Sequence, residues 1–300
     1  MQSFETFFSS LQLVEEEVRE EYIAEQYDEL IEKLITFGGQ AYPKFGNIVI
    51  MAGGAGSGKG FVKDKLVGIE GRVFDVDELK TLAAKTPAIR RKVKAEFGVD
   101  LEQLSNDLKN PENVAKLHEI IGDALNLPDK RMQAFYTSIL TAADDRKPNI
   151  IFDVTLKDLR KLEKLTRQVS SIGYDKKNIH IVWVVNDIEV AKAQNAERDR
   201  TVPVEILVNT HRGASQTMQD IIDMGAGLKK YMDGDIVFAF NKVGVDTDIE
   251  KSDKGGMYIV DANYFYVKRA GKAPTPKAKI ADDLKRKIAS YVPKNVSWED

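Results

Sequence analysis

Residues 51–60 read MAGGAGSGKG, a stretch whose residue types and spacing suit phosphate binding. The stretch from Gly53 to Lys59 fits the pattern G-x-x-x-x-G-K. Glycines let backbone N–H groups converge on phosphate oxygens where side chains would obstruct, and the lysine adds a mobile cation. The sequence therefore predicts a loop that binds ATP. The residues assigned to it are Gly53, Gly54, Ala55, Gly56, Ser57, Gly58, Lys59, Gly60 and Phe61.

The residue after Lys59 determines whether the loop itself can supply a ligand to Mg²⁺. Many such loops place a Ser or Thr there to hold Mg²⁺, but this chain has Gly60 and then Phe61. Ser57 lies too early in the loop to replace that hydroxyl. We therefore expect Mg²⁺ to take its ligands from carboxylates, phosphates and water, which suits its reluctance to lose its water shell.

The stretch FDVDELK contains two candidate carboxylates, Asp75 and Asp77, at the end of a strand predicted at 72–77. Strand alternation sends them to opposite faces, so one of them is expected to face the site. A carboxylate there could accept the proton of an attacking hydroxyl. A single Asp at a strand end is equally often a helix N-cap, and that alternative stays open.

Two further stretches complete the candidate site. IFDVT ends an apolar strand with Asp153 and Thr155. We assign both to substrate binding, together with Asp75 and Asp77, and Asp153 is also the candidate magnesium ligand. Arg198 and Arg200 precede Val202-Pro203 and could close over the phosphates. Lys59, Asp77, Arg198 and Arg200 are thus the predicted catalytic residues.

Short apolar runs alternate with helical spacing after residue 46, which indicates a parallel sheet flanked by helices and an α/β fold. Strands are predicted at 47–52, 72–77, 149–155, 179–185, 235–245 and 256–269. Residues 78–146 read as wholly helical, and 246–256 as a polar turn between the last two strands. Ligands bind such sheets at the carboxyl ends of the strands, where the candidate residues fall.

Composition narrows the class of protein. The chain is 43% hydrophobic and 30% charged, with a net charge of −3. It has no cysteine, which excludes disulfides and thiolate metal sites, and its three histidines lack metal-ligand spacing. No apolar run approaches the ~20 residues that span a bilayer, and the start lacks a secretory signal. We expect a cytoplasmic protein without membrane association.

The order of these motifs resembles the zeta-toxin family of P-loop kinases. The resemblance rests on GGAGSGKG, FDVDELK, NIIFDVTLKD and RDRTVP followed by His211, and covers roughly residues 46–245. It implies that ATP donates the phosphoryl group, that Asp77 is the general base and that Arg198 and Arg200 belong to a lid. The family's E-G-T motif maps onto residues 153–155, with Asp in place of Glu and Val in place of Gly.

On this basis the chain divides into three parts. Residues 1–45 are an N-terminal helical extension, and residues 46–245 are a P-loop kinase core. The core carries a helical insert at 78–146 and a lid at about 195–213. Residues 246–300 supply a C-terminal β-hairpin strand and a basic helical tail.

A nucleic-acid substrate is a second possibility. The lid is also similar to that of polynucleotide 5′-kinases, and bacteriophage 5-hydroxymethyluracil DNA kinases are similar P-loop enzymes, which would place this chain in a host cytoplasm. The aromatic run 264–266 could stack on bases while the basic tail follows DNA or RNA phosphates. The same residues could equally form a strand core and a solvated tail.

Three functions follow from the sequence. The first is an ATP-dependent phosphotransferase acting on a hydroxyl of a nucleotide-type substrate. The second is a kinase of DNA or RNA, acting on a 5′-hydroxyl or on 5-hydroxymethyluracil. The third is a regulatory or structural protein that senses ATP and binds a protein partner through its acidic N-terminal helix.

Overall fold

The computed structural model describes residues 35–39, 43–143, 146–251, 257–294 and 298. Most of the predicted N-terminal extension, residues 1–34 and 40–42, lies outside the described residues, as does the suggested partner surface on it. The division into three parts stays a prediction. Within the described residues, no helix combines the length and apolar character needed to span a bilayer.

A sheet of seven strands organises the described chain, in the order β2-β3-β1-β4-β5-β7-β6. The strands are β1 (Ile48–Ala52), β2 (Arg72–Asp75), β3 (Ile150–Asp153), β4 (Ile179–Val185), β5 (Ile236–Phe240), β6 (Thr247–Lys251) and β7 (Met257–Lys268). Neighbours from β2 to β5 are parallel, whereas β7 runs antiparallel to both β5 and β6. This confirms the predicted α/β class.

Helices connect the parallel strands and cover both faces of the sheet. They are α1 (Lys59–Lys65), α2 (Val76–Lys85), α3 (Pro87–Phe97), α4 (Leu101–Asn106), α5 (Pro111–Leu117), α6 (Leu127–Ile139), α7 (Leu159–Ser171), α8 (Ile188–Glu197), α9 (Val204–Asp223) and α10 (Asp282–Tyr291). A π-helical segment, His118–Ala124, continues α5. Helices α2 to α6 form the predicted insert between β2 and β3.

Strands β1, β4 and β5 are buried along their whole length, as central parallel strands are. One face packs against α6, α7, α9 and α10, and the opposite face against α1. The insert has an apolar cluster of its own, which includes Val93, Leu101 and Leu117. The carboxyl ends of the central strands are therefore fixed from both sides.

Three predicted boundaries are wrong. The strand predicted at 235–245 ends at Phe240. The strand predicted at 72–77 ends at Asp75, because the Asp75 carboxylate accepts the N–H groups of Asp77 (2.7 Å) and Glu78 (3.2 Å) and starts α2. The polar turn predicted after residue 245 contains strand β6, which pairs with β7. This edge strand is held mainly by backbone hydrogen bonds to β7 and buries few side chains. Its sequence is therefore polar and lacks the apolar pattern that predicts a strand.

Trp298 is fully buried against the sheet. Its ring stacks on Trp183 of β4, with 5.5 Å between ring centroids, and meets Phe238 of β5 edge-on at 5.8 Å. Its Nε1–H donates a hydrogen bond of 2.7 Å to Ser215 Oγ of α9. Trp298 therefore ties α9 to the centre of the sheet.

We expect Trp298→Ala to lower the free energy of unfolding by about 3–5 kcal/mol, since it removes a buried aromatic ring and a hydrogen bond. Phe265→Ala, on the exposed face of β7, is the matched control and should cost about 1 kcal/mol or less. Urea unfolding of both variants measures the difference. Equal losses in the two variants would contradict the anchoring role.

Candidate phosphate-binding site

The glycine loop follows β1 and ends where α1 begins, at Lys59. Its backbone is packed so closely that two glycines admit no side chain. A Cβ at Gly54 would lie 2.0 Å from the His211 ring, and one at Gly58 would lie 1.8 Å from Asn241 Nδ2. Gly58 also has φ of 85°, in the left-handed region. The glycines of the motif are thus required by their surroundings.

Three side chains outside the motif hold the loop. His211 Nε2 lies 2.8 Å from the carbonyl oxygen of Ala55, and because a carbonyl only accepts, this nitrogen carries the hydrogen. The Ala55 N–H donates to Thr210 Oγ1 at 3.0 Å, and Asn241 Nδ2 donates to the Ser57 carbonyl at 3.1 Å. Helix α9 and the end of β5 therefore fix the course of the loop.

Sequence reasoning missed these three residues as parts of the site. Asn241 was detectable, because it follows β5 at the carboxyl edge of the sheet, where ligands bind. His211 belongs to the motif order that carries the resemblance, and both Thr210 and His211 fall in the predicted lid, but their contact with the loop depends on how α9 packs. Ser57 itself is fully buried, and its hydroxyl has no hydrogen-bond partner among the described residues.

The ammonium of Lys59 lies between the loop and the end of β3. Its Nζ donates to the carbonyl oxygens of Gly53 (3.1 Å) and Gly54 (3.3 Å) and lies 3.6 Å from Asp153 Oδ1. The Lys59 side chain is only 13% exposed. The structure thus brings together the predicted lysine, the first glycines and the predicted strand-end carboxylate.

Asp153 lies directly between two neighbours in the sheet, with Met51 of β1 on one side and Asp75 of β2 on the other. Burial raises the pKa of the Asp153 carboxyl, the nearby charges of Asp75 and Asp77 raise it further, and Lys59 opposes them. Additional positive charge at this carboxylate would therefore be favourable. Thr155 contributes through its backbone, whose carbonyl accepts the Gly53 N–H at 3.3 Å.

Asp77 belongs to the first turn of α2 rather than to β2. Its Oδ1 is 2.8 Å from Lys80 Nζ and 3.0 Å from an Arg200 guanidinium nitrogen. Burial favours a higher pKa for Asp77, but the charges of Lys80 and Arg200 outweigh it and hold the pKa well below its usual range. Asp77 is therefore a carboxylate at neutral pH, paired with two cations.

Arg200 is held in place by the segment that carries it. The next residue, Thr201, donates its N–H to the Leu108 carbonyl at 3.0 Å and its hydroxyl to the Lys109 carbonyl, which attaches this segment to the insert. Arg198, at the end of α8, is exposed and forms no ion pair among the residues described. The structure thus brings Arg200, but not Arg198, to Asp77.

The predicted lid, about 195–213, spans the end of α8, the connection 198–203 and the first half of α9. Its α9 part is packed on the glycine loop through Thr210 and His211. Phe61, in the first turn of α1, packs its side chain against the core. Gly60 is exposed, and a Cβ at this position would meet no atom within 4 Å. Movement of the 198–203 connection stays a prediction.

The described residues at the loop offer few ligands for a magnesium ion. In the described part of the chain, no group of three or more His, Cys, Asp or Glu residues is arranged to hold a metal ion. Asp75 is engaged as a helix cap, and Gly60 offers no hydroxyl. Asp153, 3.6 Å from Lys59, could supply a carboxylate to an ion that takes most of its ligands from phosphate and water.

Much of the aromatic run and of the basic tail is engaged in packing and ion pairs. Tyr264 and Tyr266 pack against the core, and the Tyr266 hydroxyl donates to the Thr36 carbonyl at 2.9 Å. Phe265, between them, is exposed.

Four basic residues of the tail have acidic partners. Lys268 is buried and lies 3.1 Å from an Asp233 carboxylate oxygen. Lys285, Arg286 and Lys287 are paired with Asp282, Asp283 and Asp246.

No protein-family model and no curated protein matches the sequence. Among solved structures, the chain is similar to the AvrRxo1-ORF1:-ORF2 complex with ATP, at a TM-score of 0.45 and 12% identity over 82% of this chain. It spans 64% of that matched chain. It is also similar to the PezAT chromosomal toxin–antitoxin system of Streptococcus pneumoniae, at a TM-score of 0.40 and 12% identity over 74% of this chain and 77% of that one.

Gly58→Ala and Gly60→Ala form a matched pair within the loop. We expect Gly58→Ala to destabilise the fold by more than about 1 kcal/mol and to weaken binding of a non-hydrolysable ATP analogue at least about tenfold, because its Cβ meets Asn241 in a left-handed backbone. Gly60→Ala should not lower the stability, since its Cβ meets nothing within 4 Å. Urea unfolding and calorimetry measure both effects. Similar losses in the two variants would contradict the packing described.

The contact of His211 with the loop predicts a pH dependence of stability. Burial lowers the pKa of His211 to about 4, Lys59 lowers it as well, and the Ala55 carbonyl opposes them. Between about 6.5 and 4 the unfolded chain binds a proton that the folded chain does not, so stability falls as pH falls through this window.

We therefore expect the free energy of unfolding of the wild type, relative to His211→Gln, to decrease by about 3 kcal/mol from about pH 7 to about pH 4. Denaturant unfolding of both proteins across this range measures the difference. Parallel curves for the two proteins would show that His211 is not held neutral on the loop.

Proposed function

We propose that this protein is an ATP-dependent phosphotransferase that phosphorylates a hydroxyl of a nucleotide-type substrate. The observation that carries the proposal is the glycine loop itself. Its backbone is covered by His211 and Asn241, and Lys59 lies at its mouth, 3.6 Å from Asp153. The N–H groups of Gly53, Ala55 and Ser57 already donate within the protein, so the N–H groups at the start of α1, residues 58–60, would be the ones that bind phosphate.

The donor nucleotide would bind with its phosphates on residues 53–60. Lys59 then exchanges the two loop carbonyls for the β- and γ-phosphates of ATP, which are stronger partners for an ammonium. Asp153 would hold a magnesium ion, and that ion, when bound, neutralises phosphate charge. The buried Asp153 carboxylate gains from this added positive charge.

The acceptor hydroxyl would be activated by Asp77. The proton of the acceptor hydroxyl passes to the Asp77 carboxylate, and the hydroxyl oxygen forms a bond to the γ-phosphorus. The bond between the γ-phosphorus and the β–γ bridging oxygen breaks, which releases ADP. While paired with both Lys80 and Arg200, Asp77 is a weak base. If Arg200 turns from Asp77 to the transferred phosphoryl group, it stabilises that charge and raises the pKa of Asp77 at the same moment.

The other two functions have less support. A DNA or RNA kinase would use the aromatic run and basic tail, but two of the three aromatic residues pack against the core and four basic residues of the tail are in ion pairs. An ATP-sensing protein would need the glycine loop but not the Asp77–Lys80–Arg200 cluster. The location of that cluster at the end of β2, one strand from Asp153, favours transfer over sensing.

We expect Asp77→Asn to lower phosphoryl transfer by about 10²- to 10⁴-fold while leaving the affinity for a non-hydrolysable ATP analogue unchanged, because only the base is lost. Lys59→Met should weaken both. Asp64→Asn, an exposed carboxylate on α1, is the control and should change neither. Transfer is measured with γ-labelled ATP against nucleosides, nucleotide sugars and plain or modified DNA.

Each alternative has its own outcome in this experiment. Undiminished transfer by Asp77→Asn would remove Asp77 from the role of base. Label appearing on DNA alone would favour the nucleic-acid kinase. Tight binding of the ATP analogue with no labelled product from any acceptor would favour the ATP-sensing protein.

A further inference from the structure

Among the residues that the structure describes, Arg200 forms one ion pair. Its Nη2 lies 3.0 Å from Asp77 Oδ1, and the Arg200 side chain is only 16% exposed. The Arg200 Nε is buried and has no hydrogen-bond partner in the described part of the chain. One ion pair does not fix a long side chain by itself, because the side chain has many rotamers to lose. The position of Arg200 therefore depends on the backbone that carries it.

That backbone is attached to the insert through the next residue, Thr201. Thr201 donates its N–H to the Leu108 carbonyl at 3.0 Å and its hydroxyl to the Lys109 carbonyl. Both acceptors lie in the turn between α4 and α5. Leu108 packs against the apolar cluster of the insert, and Asn113 Nδ2 donates to the Asp107 carbonyl at 2.9 Å. The turn that receives Thr201 is thus itself held in place.

The same connection is attached to α8 through Asn195, which lies in the last turn of that helix and is 4% exposed. Its Nδ2 donates to the Val202 carbonyl at 2.8 Å, and its Oδ1 accepts the Val202 N–H at 2.9 Å. A buried amide thus uses both its donor and its acceptor on one residue of the connection. The two residues after Arg200 are therefore held by two different elements.

These attachments bear on the contact between Arg200 and Asp77. Asp77 lies on α2, which packs against α4 within the insert, and the carbonyls that receive Thr201 belong to the same insert. The hydrogen bonds of Thr201 therefore fix the backbone of Arg200 relative to the carboxylate of Asp77. Without them, the ion pair alone would have to hold the two parts together.

We propose that Thr201 and Asn195 are positioning residues for the transfer, which keep Arg200 on Asp77 until another anion draws the guanidinium away. This inference rests on the proposed function, because it concerns the base of that reaction. Held in this way, Arg200 keeps Asp77 a weak base. The free Nε–H of Arg200 remains available to an oxyanion such as a phosphate. Thr201 and Asn195 act through Arg200 and not on the substrate.

The chain has no cysteine, so Asp77→Cys introduces a single thiol whose pKa reports the positive charge at this position. The pKa is read from the pH dependence of alkylation by iodoacetamide. Beside Lys80 and Arg200, we expect it to lie below the value of about 8.5 that is ordinary for cysteine. Asp153 and His118 also interact electrostatically with residue 77, but they are the same in every variant.

The comparison is made in the Asp77→Cys protein, with circular dichroism to show that each variant is folded. Arg200→Gln removes the cation and should slow alkylation at pH 7 at least about threefold, because less of the thiol is ionised. Thr201→Val removes only the hydroxyl and should slow alkylation at least about twofold, as should Asn195→Ala. Thr201→Ser keeps the hydroxyl and should behave as the unmodified position does. Thr137→Val on α6, whose hydroxyl bonds within its own helix, is the matched control and should change nothing.

Three results would overturn the proposal. One is an unchanged thiol pKa in Thr201→Val although Arg200→Gln raises it. Another is an equal rise in Thr201→Ser and Thr201→Val, which would make the effect one of packing and not of the hydroxyl. The third is an unchanged thiol pKa in Arg200→Gln, which would show that Arg200 is not held on residue 77.

This measurement uses neither ATP nor an acceptor, so it is independent of the transfer of label from γ-labelled ATP. If the thiol responds as expected and no acceptor is labelled, the attachment of Arg200 to Asp77 stands and the phosphotransferase function fails. If transfer of label depends on Asp77 but the thiol pKa is the same with and without Thr201→Val, the function stands and the positioning role fails.

Discussion

The close packing of the backbone from residue 53 to residue 58 is the constraint on which the site depends. At Gly54 and Gly58 there is no space for even one carbon, because His211 and Asn241 occupy it. Those two side chains reach the loop only because α9 and β5 are fixed to the buried centre of the sheet. Trp298, stacked on Trp183, contributes to fixing α9. The sheet thus determines the shape of a loop that contains almost no side chains.

The charged residues of the site form two groups with different roles. Lys59 and Asp153 lie at the loop, where burial makes additional positive charge beside the Asp153 carboxylate favourable. Asp77, Lys80 and Arg200 lie at the end of the neighbouring strand, where two cations keep the carboxylate ionised and weakly basic. Lys59 and Asp153 would suit binding of the proposed donor, ATP. In the second group, the pKa of Asp77 would rise, and Asp77 would become a stronger base, if Arg200 moved to another anion.

The loop and most strands could be predicted because they depend on local sequence: apolar runs give strands, and the spacing of glycines and a lysine gives the loop. The residues that escaped prediction depend on distant contacts. His211 lies more than 150 residues from Ala55, with which it shares a hydrogen bond. Asp75 as a cap was one of two open alternatives, since a cap and a catalytic carboxylate look alike in sequence. Strand β6 is polar, so periodicity alone indicated a turn.

In the proposed function, residues 53–60 bind the phosphates of ATP on a loop already shaped for them. Hydrogen–deuterium exchange of the full chain with and without ATP and magnesium measures this directly. We expect ATP to slow exchange of the amides in residues 53–60 and, if Arg200 leaves Asp77, to alter exchange in the 198–203 connection. Unchanged exchange in the loop, or protection confined to another part of the chain, would contradict it.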